Sequence, residues 1–369
     1  MKIPLIKPYI DDSIKAKVLE VLDSGFLTEG SVTKEFENKF KDFIGVKHAV
    51  AVTSCTTGLE VALKAVGIGK GDEVIVPDYT YPATASAVCI TGATPVIVDI
   101  EKDSMLIDYD EIEKAITPRT KAIIPVSLFG NPLDYNKLNK IKKKYNLFIV
   151  EDAACSIGAE YNNKKVGTFA DISVFSLHPR KFITTGEGGM ITTDSDSQAE
   201  WMESYKHFGI KSNSSSSREG IQFEIIGTNY KLNNILSAVG LGQINIIDKL
   251  LERRISLANN YINLLKDIEE IKLPACLRGS KHSYQSFCIF IENRDLVMSK
   301  MKEKGKEVQI GTYSLHMHDA FKNNPSVILS GKFENSKFVY EHCLTLPLYH
   351  DLTFEMQEYI VEELNKSLK

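Results

Sequence analysis

Apolar positions along this chain keep two rhythms. Between Lys34 and Phe43, the aromatics Phe36, Phe40 and Phe43 recur every three or four positions, which predicts one buried face of a helix. Leu59 to Val66 predicts a second apolar helix, stopped by Gly67. Short runs that are apolar throughout predict strands: Glu73 to Pro77, Pro95 to Ile100, Lys121 to Val126, Leu147 to Val150, Ile172 to Ser176 and Gly189 to Thr193. A lysine-rich helix over 136–145 separates two of them. Such strands, alternating with helices, predict a mostly parallel sheet covered on both faces.

The pattern changes near Asn229. Asn233 to Leu265 reads as one long helical stretch with few breakers. Mixed segments follow at His282 to Ile291 and Glu307 to Gly311, then a helix from Thr353 to Leu368. The expected architecture is therefore α/β. Residues 1–245 form a large domain whose central sheet is flanked by helices, and residues 246–369 form a smaller C-terminal α/β domain. The serine run Ser212 to Ser217 predicts a mobile surface loop that could order over a substrate.

Composition narrows the function classes. A net charge of −4 across 369 residues gives no footprint for nucleic acid. The basic runs Lys140 to Lys144 and Lys302 to Lys306 read as solvated surface. Six scattered cysteines, with no metal-ligand spacing, point to a reducing compartment. The first residues lack the apolar core of a signal peptide, and no apolar run is long enough to span a bilayer, so the expected location is cytoplasmic.

Two segments carry candidate chemistry. The strand Leu147 to Val150 runs into Glu151 and Asp152. In a doubly wound sheet, ligands sit beyond the carboxyl ends of strands, where such a carboxylate could reach a cofactor. It could equally cap the next helix. The strand ending at Ser176 is followed five residues later by Lys181, then by the glycine-rich turn Gly186 to Gly189. A lysine delivered past a strand end can attack a carbonyl as a Schiff-base nucleophile. Thr53 to Gly58, just before a predicted helix, offers hydroxyls and free N–H groups to an anion, or simple N-capping.

Phe175, Ser176, Leu177, His178, Lys181 and Gly186 to Gly189 together resemble the signature of the DegT/DnrJ/StrS family of sugar aminotransferases. Further matches follow in the family's order: Gly71 to Pro77, Gly92 to Asp99, Phe129 with Gly130, Glu151 to Ala154, Gly227 to Lys231, and Leu346 to Leu348. The resemblance covers nearly the whole length. It implies a fold-type I enzyme dependent on pyridoxal 5'-phosphate, with the pyridoxamine form alternating in turnover. Lys181 would hold the cofactor as a Schiff base and shuttle the proton, and Asp152 would pair with the pyridine nitrogen. Cys55, Thr56 and Ser176 match phosphate-binding positions, and Tyr81 matches an aromatic that stacks on the ring. Asn229 matches a residue that reaches the phosphate of the neighbouring subunit, which implies a homodimer with shared active sites.

Cys155 stands where the family often has a glutamine against the cofactor's phenolic oxygen, and Lys231 where an arginine is frequent. The resemblance implies L-glutamate as amino donor and a nucleotide-linked keto-deoxysugar as acceptor, with a small phosphorylated ketone as an alternative. A dehydratase on this fold is disfavoured, because such members carry histidine where Lys181 stands. A decarboxylase or racemase using the same cofactor, or a non-catalytic sensor, are the remaining rivals. His178, His316, His318 and His350 have no assigned role, and no metal site is expected.

Overall fold

A computed structural model describes residues 2–211 and 220–369. The predicted serine loop, Ser212 to Ser217, lies outside the described residues. The strands of the two main sheets are β1 (His48–Val52), β2 (Glu73–Pro77), β3 (Thr94–Val98), β4 (Thr120–Ile123), β5 (Phe148–Asp152), β6 (Ile172–Ser176), β7 (Gly189–Thr193), β8 (Phe287–Phe290), β9 (Gln309–Ile310), β10 (Ile328–Ser330) and β11 (Cys343–Leu346). Among the described residues, the large sheet has eight strands in the order β1-β7-β6-β5-β4-β2-β3-β10. From β6 through β10 every pairing is parallel. Strand β7 alone runs antiparallel, to both neighbours.

The all-apolar strands are explained by two cores, one on each face. Ile75 of β2 joins one, with Phe36, Phe40 and Phe175. Its neighbours Val74 and Val76 join the other, with Leu59, Leu63 and Val174. Successive side chains alternate faces, so a strand covered on both sides must be apolar at every position.

Several boundaries differ from the sequence reading. The helix expected from Leu59 starts earlier, at Cys55, and ends at Ala65. Ser54 accepts from the Thr57 amide and Thr57 answers the Ser54 amide, a reciprocal cap that draws residues 55–58 into the first turn. The long stretch from Asn233 is two helices, Asn234–Ile244 and Ile247–Leu265. The first is buried almost all round, while the second is amphipathic, and the chain turns where that burial changes.

The smaller sheet has the order β8-β11-β9, antiparallel throughout, and packs on helices Ile247–Leu265 and Phe354–Leu368. The two parts of the chain exchange segments. Ile3 is buried in this smaller core and hydrogen bonds to the 305–307 turn. Residues 313–330, on the far side of the 245/246 division, return to the large sheet. Tyr313 and Ser314 pair with Thr80 and Tyr79, and β10 adds the edge strand beside β3. Three residues of β-structure are too short to mark themselves by periodicity.

Candidate active site

Strands β5 and β6 are parallel neighbours, with Asp152 opposite Val174, so both deliver their last residues to one edge. Asp152 closes β5 and is buried. Thr84, on the helix Ala83–Ile90, donates to its Oδ2 at 2.8 Å, and the Ala154 amide donates to Oδ1 at 3.1 Å. No helix follows: residues 153–159 form turns, so Asp152 is not a helix cap. Burial raises the Asp152 carboxyl above its ordinary range, against the pull of Thr84, Ala154 and Lys181. Glu151 takes the opposite face of the strand. It is saturated by Ser127, by Tyr135 Oη at 2.5 Å and by Ser173 Oγ at 3.0 Å, which makes it an anchor.

Lys181 sits in the loop joining β6 to β7. Its amine donates to Cys155 Sγ at 3.2 Å. Burial works to lower its pKa, but Cys155, Cys55 and Asp152 more than offset this and hold it above the ordinary lysine range. Lys181, Asp152, Cys155 and Cys55 are thus gathered in one place. The Cys55 thiol points into the sheet, 3.7 Å from the Val174 carbonyl, and burial pushes its pKa well up. With the thiol directed at that carbonyl, the Cys55 backbone N–H is the group available to an anion.

That N–H belongs to a cradle. Cys55 and Thr56 are the first two residues of their helix, positions whose N–H groups have no acceptor within it. Gly189, at the start of β7, lies against this helix start. A Cβ there would stand 2.5 Å from the Ser54 carbonyl oxygen and 2.8 Å from the Cys55 nitrogen. Ser176 closes β6 and is buried, its Oγ accepting from the His178 amide at 3.4 Å. Thr53 accepts a place beside them through its amide, which donates to the Tyr230 carbonyl at 3.0 Å.

Tyr81 and Asn229 are not brought against these groups. Tyr81 is 64% exposed and tilts against Tyr313, ring centroids 6.1 Å apart. Asn229 is exposed, and Lys231 Nζ donates to its Oδ1 at 2.6 Å. Both lie at the ends of segments that enter the site, Tyr81 three residues before Thr84 and Asn229 just before Tyr230. His316 is tied to buried Asp78, its amide and Nδ1 each 2.7 Å from a carboxylate oxygen. Among the described residues no group of three or more His, Cys, Asp or Glu could hold a metal. Thr84 escaped notice in the sequence because, as the second residue of the short helix Ala83–Ile90, it is one of two hydroxyl residues there with nothing to set it apart from Ser86.

The sequence profile of the DegT/DnrJ/EryC1/StrS aminotransferase family matches residues 8–365. The chain belongs to this family. It is 36% identical to the GDP-perosamine synthase of Caulobacter vibrioides, over 86% of each chain. It is 32% identical to the spore coat polysaccharide biosynthesis protein SpsC of Bacillus subtilis, covering all of this chain and 97% of that one. A Streptococcus pneumoniae protein assigned to the sugar aminotransferases, solved in its PMP form, superposes with a TM-score of 0.93 at 28% identity, over 100% of this chain and 99% of its own. This aminotransferase uses pyridoxal phosphate. Its residues fit the group: a buried carboxylate raised by desolvation is suited to a cationic ring nitrogen, and the helix start at Cys55 to a phosphate. When bound, the cofactor supplies an electron sink for the carbon that loses a proton. No helix of the described residues is long and apolar enough to cross a membrane.

Proposed function

We propose that this aminotransferase moves the amino group of L-glutamate to the keto group of a nucleotide-linked keto-deoxysugar. The observation that carries the reading is the meeting of Lys181 with buried Asp152 at adjoining strand ends. Lys181 is the covalent attachment residue and moves the proton at the reacting carbon. Asp152 holds the ring nitrogen protonated; two charges near 3 Å at an effective dielectric of 20 interact by roughly 5 kcal/mol. The Cys55 and Thr56 amides and the Ser176 hydroxyl bind the phosphate. Cys155 lies beside the lysine amine and would contact the cofactor there. Tyr81, three residues before Thr84, is the aromatic that would stack on the ring. The acceptor class is supported by the relatives, one a synthase of GDP-perosamine and one a polysaccharide biosynthesis protein. An amine at position 181 supports transamination over dehydration.

The active form we infer is a homodimer, with Asn229 completing the partner's phosphate site. The segment leading to Asn229 presents Phe208, Phe223 and Ile226 at 49%, 66% and 98% exposure. Such exposed apolar side chains, on a segment whose Tyr230 carbonyl accepts from Thr53, are suited to burial against a second copy. All six cysteines are unpaired, which supports a cytoplasmic site of action. The test is formation of 2-oxoglutarate from L-glutamate with nucleotide-linked keto-deoxysugars, run against small phosphorylated ketones. Turnover restricted to the nucleotide sugars supports the proposal, whereas turnover restricted to the phosphorylated ketones removes it.

A further inference from the structure

The loop carrying Lys181 is gripped from outside by two buried glutamines. Gln285 accepts from the Phe182 amide at 2.7 Å through Oε1, and donates from Nε2 to the Arg180 carbonyl at 2.7 Å. It therefore holds the backbone on both sides of Lys181. Gln243 does the same to Thr184, accepting from its amide at 2.9 Å and donating to its carbonyl at 2.8 Å. A primary amide is the side chain that offers one acceptor and one donor in this geometry; a carboxylate can only accept.

Gln285 is itself held. Arg254, 2% exposed on the helix Ile247–Leu265, donates to the Tyr284 carbonyl at 2.5 Å and to the Gln285 carbonyl at 2.6 Å. Its guanidinium also lies over the Phe182 ring, 5.5 Å from the centroid. The guanidinium meets carbonyl oxygens and that ring. Burial lowers its pKa to about 9, a cost borne at a site where its two shortest hydrogen bonds lead to the Gln285 segment and a third, at 3.3 Å, to the Leu348 carbonyl. The other side of that segment is closed by the Gly130 turn, where the Ser283 amide donates to the Gly130 carbonyl at 3.0 Å.

We propose that Gln285, fixed by Arg254, is a positioning residue that aims the Lys181 amine into the active site. The proposal rests on the reading of Lys181 as the attachment residue. A long flexible side chain finds one carbonyl carbon faster and tighter when its own backbone cannot rotate.

The test is a double-mutant cycle read in cofactor affinity, measured on the full chain by equilibrium dialysis with pyridoxal phosphate. Gln285→Leu keeps the volume and removes both hydrogen bonds. It is expected to weaken binding about tenfold in the native background, the scale of one or two hydrogen bonds, and to change it little in a Lys181→Ala background. Gln285→Glu, which keeps the acceptor for Phe182, should fall between, and it carries the same comparison should Gln285→Leu fail to fold. Equal losses in both backgrounds would make Gln285 a structural residue and overturn the proposal, as would unchanged affinity in the native one. Borohydride reduction is run in parallel. A reduced adduct that survives Lys181→Ala would sink the reading of Lys181, a failure separate from that of Gln285.

Discussion

At the scale of single residues, the account turns on how burial sets two opposite charges. Asp152 is desolvated and carries a raised pKa, and a cationic ring nitrogen relieves both. Asp152→Asn should keep the cofactor, since the phosphate cradle is untouched, but lose most of the roughly 5 kcal/mol of charge pairing. The half-reaction with L-glutamate should slow by about three powers of ten in a single-turnover absorbance measurement. Near-native rates would leave Asp152 as a turn-former for Ala154. Asp152 and Lys181 stood out in the sequence because one ends an apolar strand and the other follows one by five residues. Thr84 and Gln285 did not. Thr84 is one of two hydroxyl residues, with Ser86, in a helix of otherwise apolar positions, and Gln285 lies 103 positions from the amide it holds.

At the scale of elements, the proposed phosphate cradle rests on a helix start and a strand start that touch. Gly189 makes that approach possible, since a side chain there would strike the Ser54 carbonyl and the Cys55 amide. Gly189→Ala should push the helix away from β7, cost about 1–3 kcal/mol of stability, and weaken competition by inorganic phosphate more than binding of phosphate-free pyridoxal. Loss of both affinities in step would move the cradle elsewhere. Six strands of the large sheet, all but β1 and β10, were visible as apolar runs because both of their faces are buried. The helix start at Cys55 was not, because reciprocal capping by Ser54 and Thr57 recruits a polar turn that periodicity assigns to a loop. Nor was the break at Asn245 and Ile246, where no glycine or proline marks the change from an all-buried helix to an amphipathic one.

At the scale of the whole molecule, two predictions concern stability and assembly. Burial lowers His282 to about 3 and His350, which also faces Arg254, to about 4. Both stay neutral when folded while the unfolded chain protonates them near 6.5. Their contribution is therefore present above pH 6.5 and is lost as pH falls toward 4, by up to about 1.4 kcal/mol per pH unit for each. Thermal midpoints should drop across that window, and the double variant His282→Gln, His350→Gln should flatten the drop. A native profile that is flat from 6.5 to 4 would contradict it. Ile226, 98% exposed beside Asn229, should be an interface residue. Ile226→Asp should sediment as a monomer and lose turnover, whereas a monomeric native protein would dissolve the shared-site proposal. The segment exchange at β10 and Ile3 was invisible in sequence because short strands at a sheet edge carry no period of their own. The most direct test of the account is the visible absorption spectrum of the protein with pyridoxal phosphate, before and after L-glutamate. The account predicts a yellow protein whose band bleaches on adding glutamate, with both features absent from Lys181→Ala. A protein that never turns yellow, or a native spectrum that glutamate leaves unchanged, would contradict it.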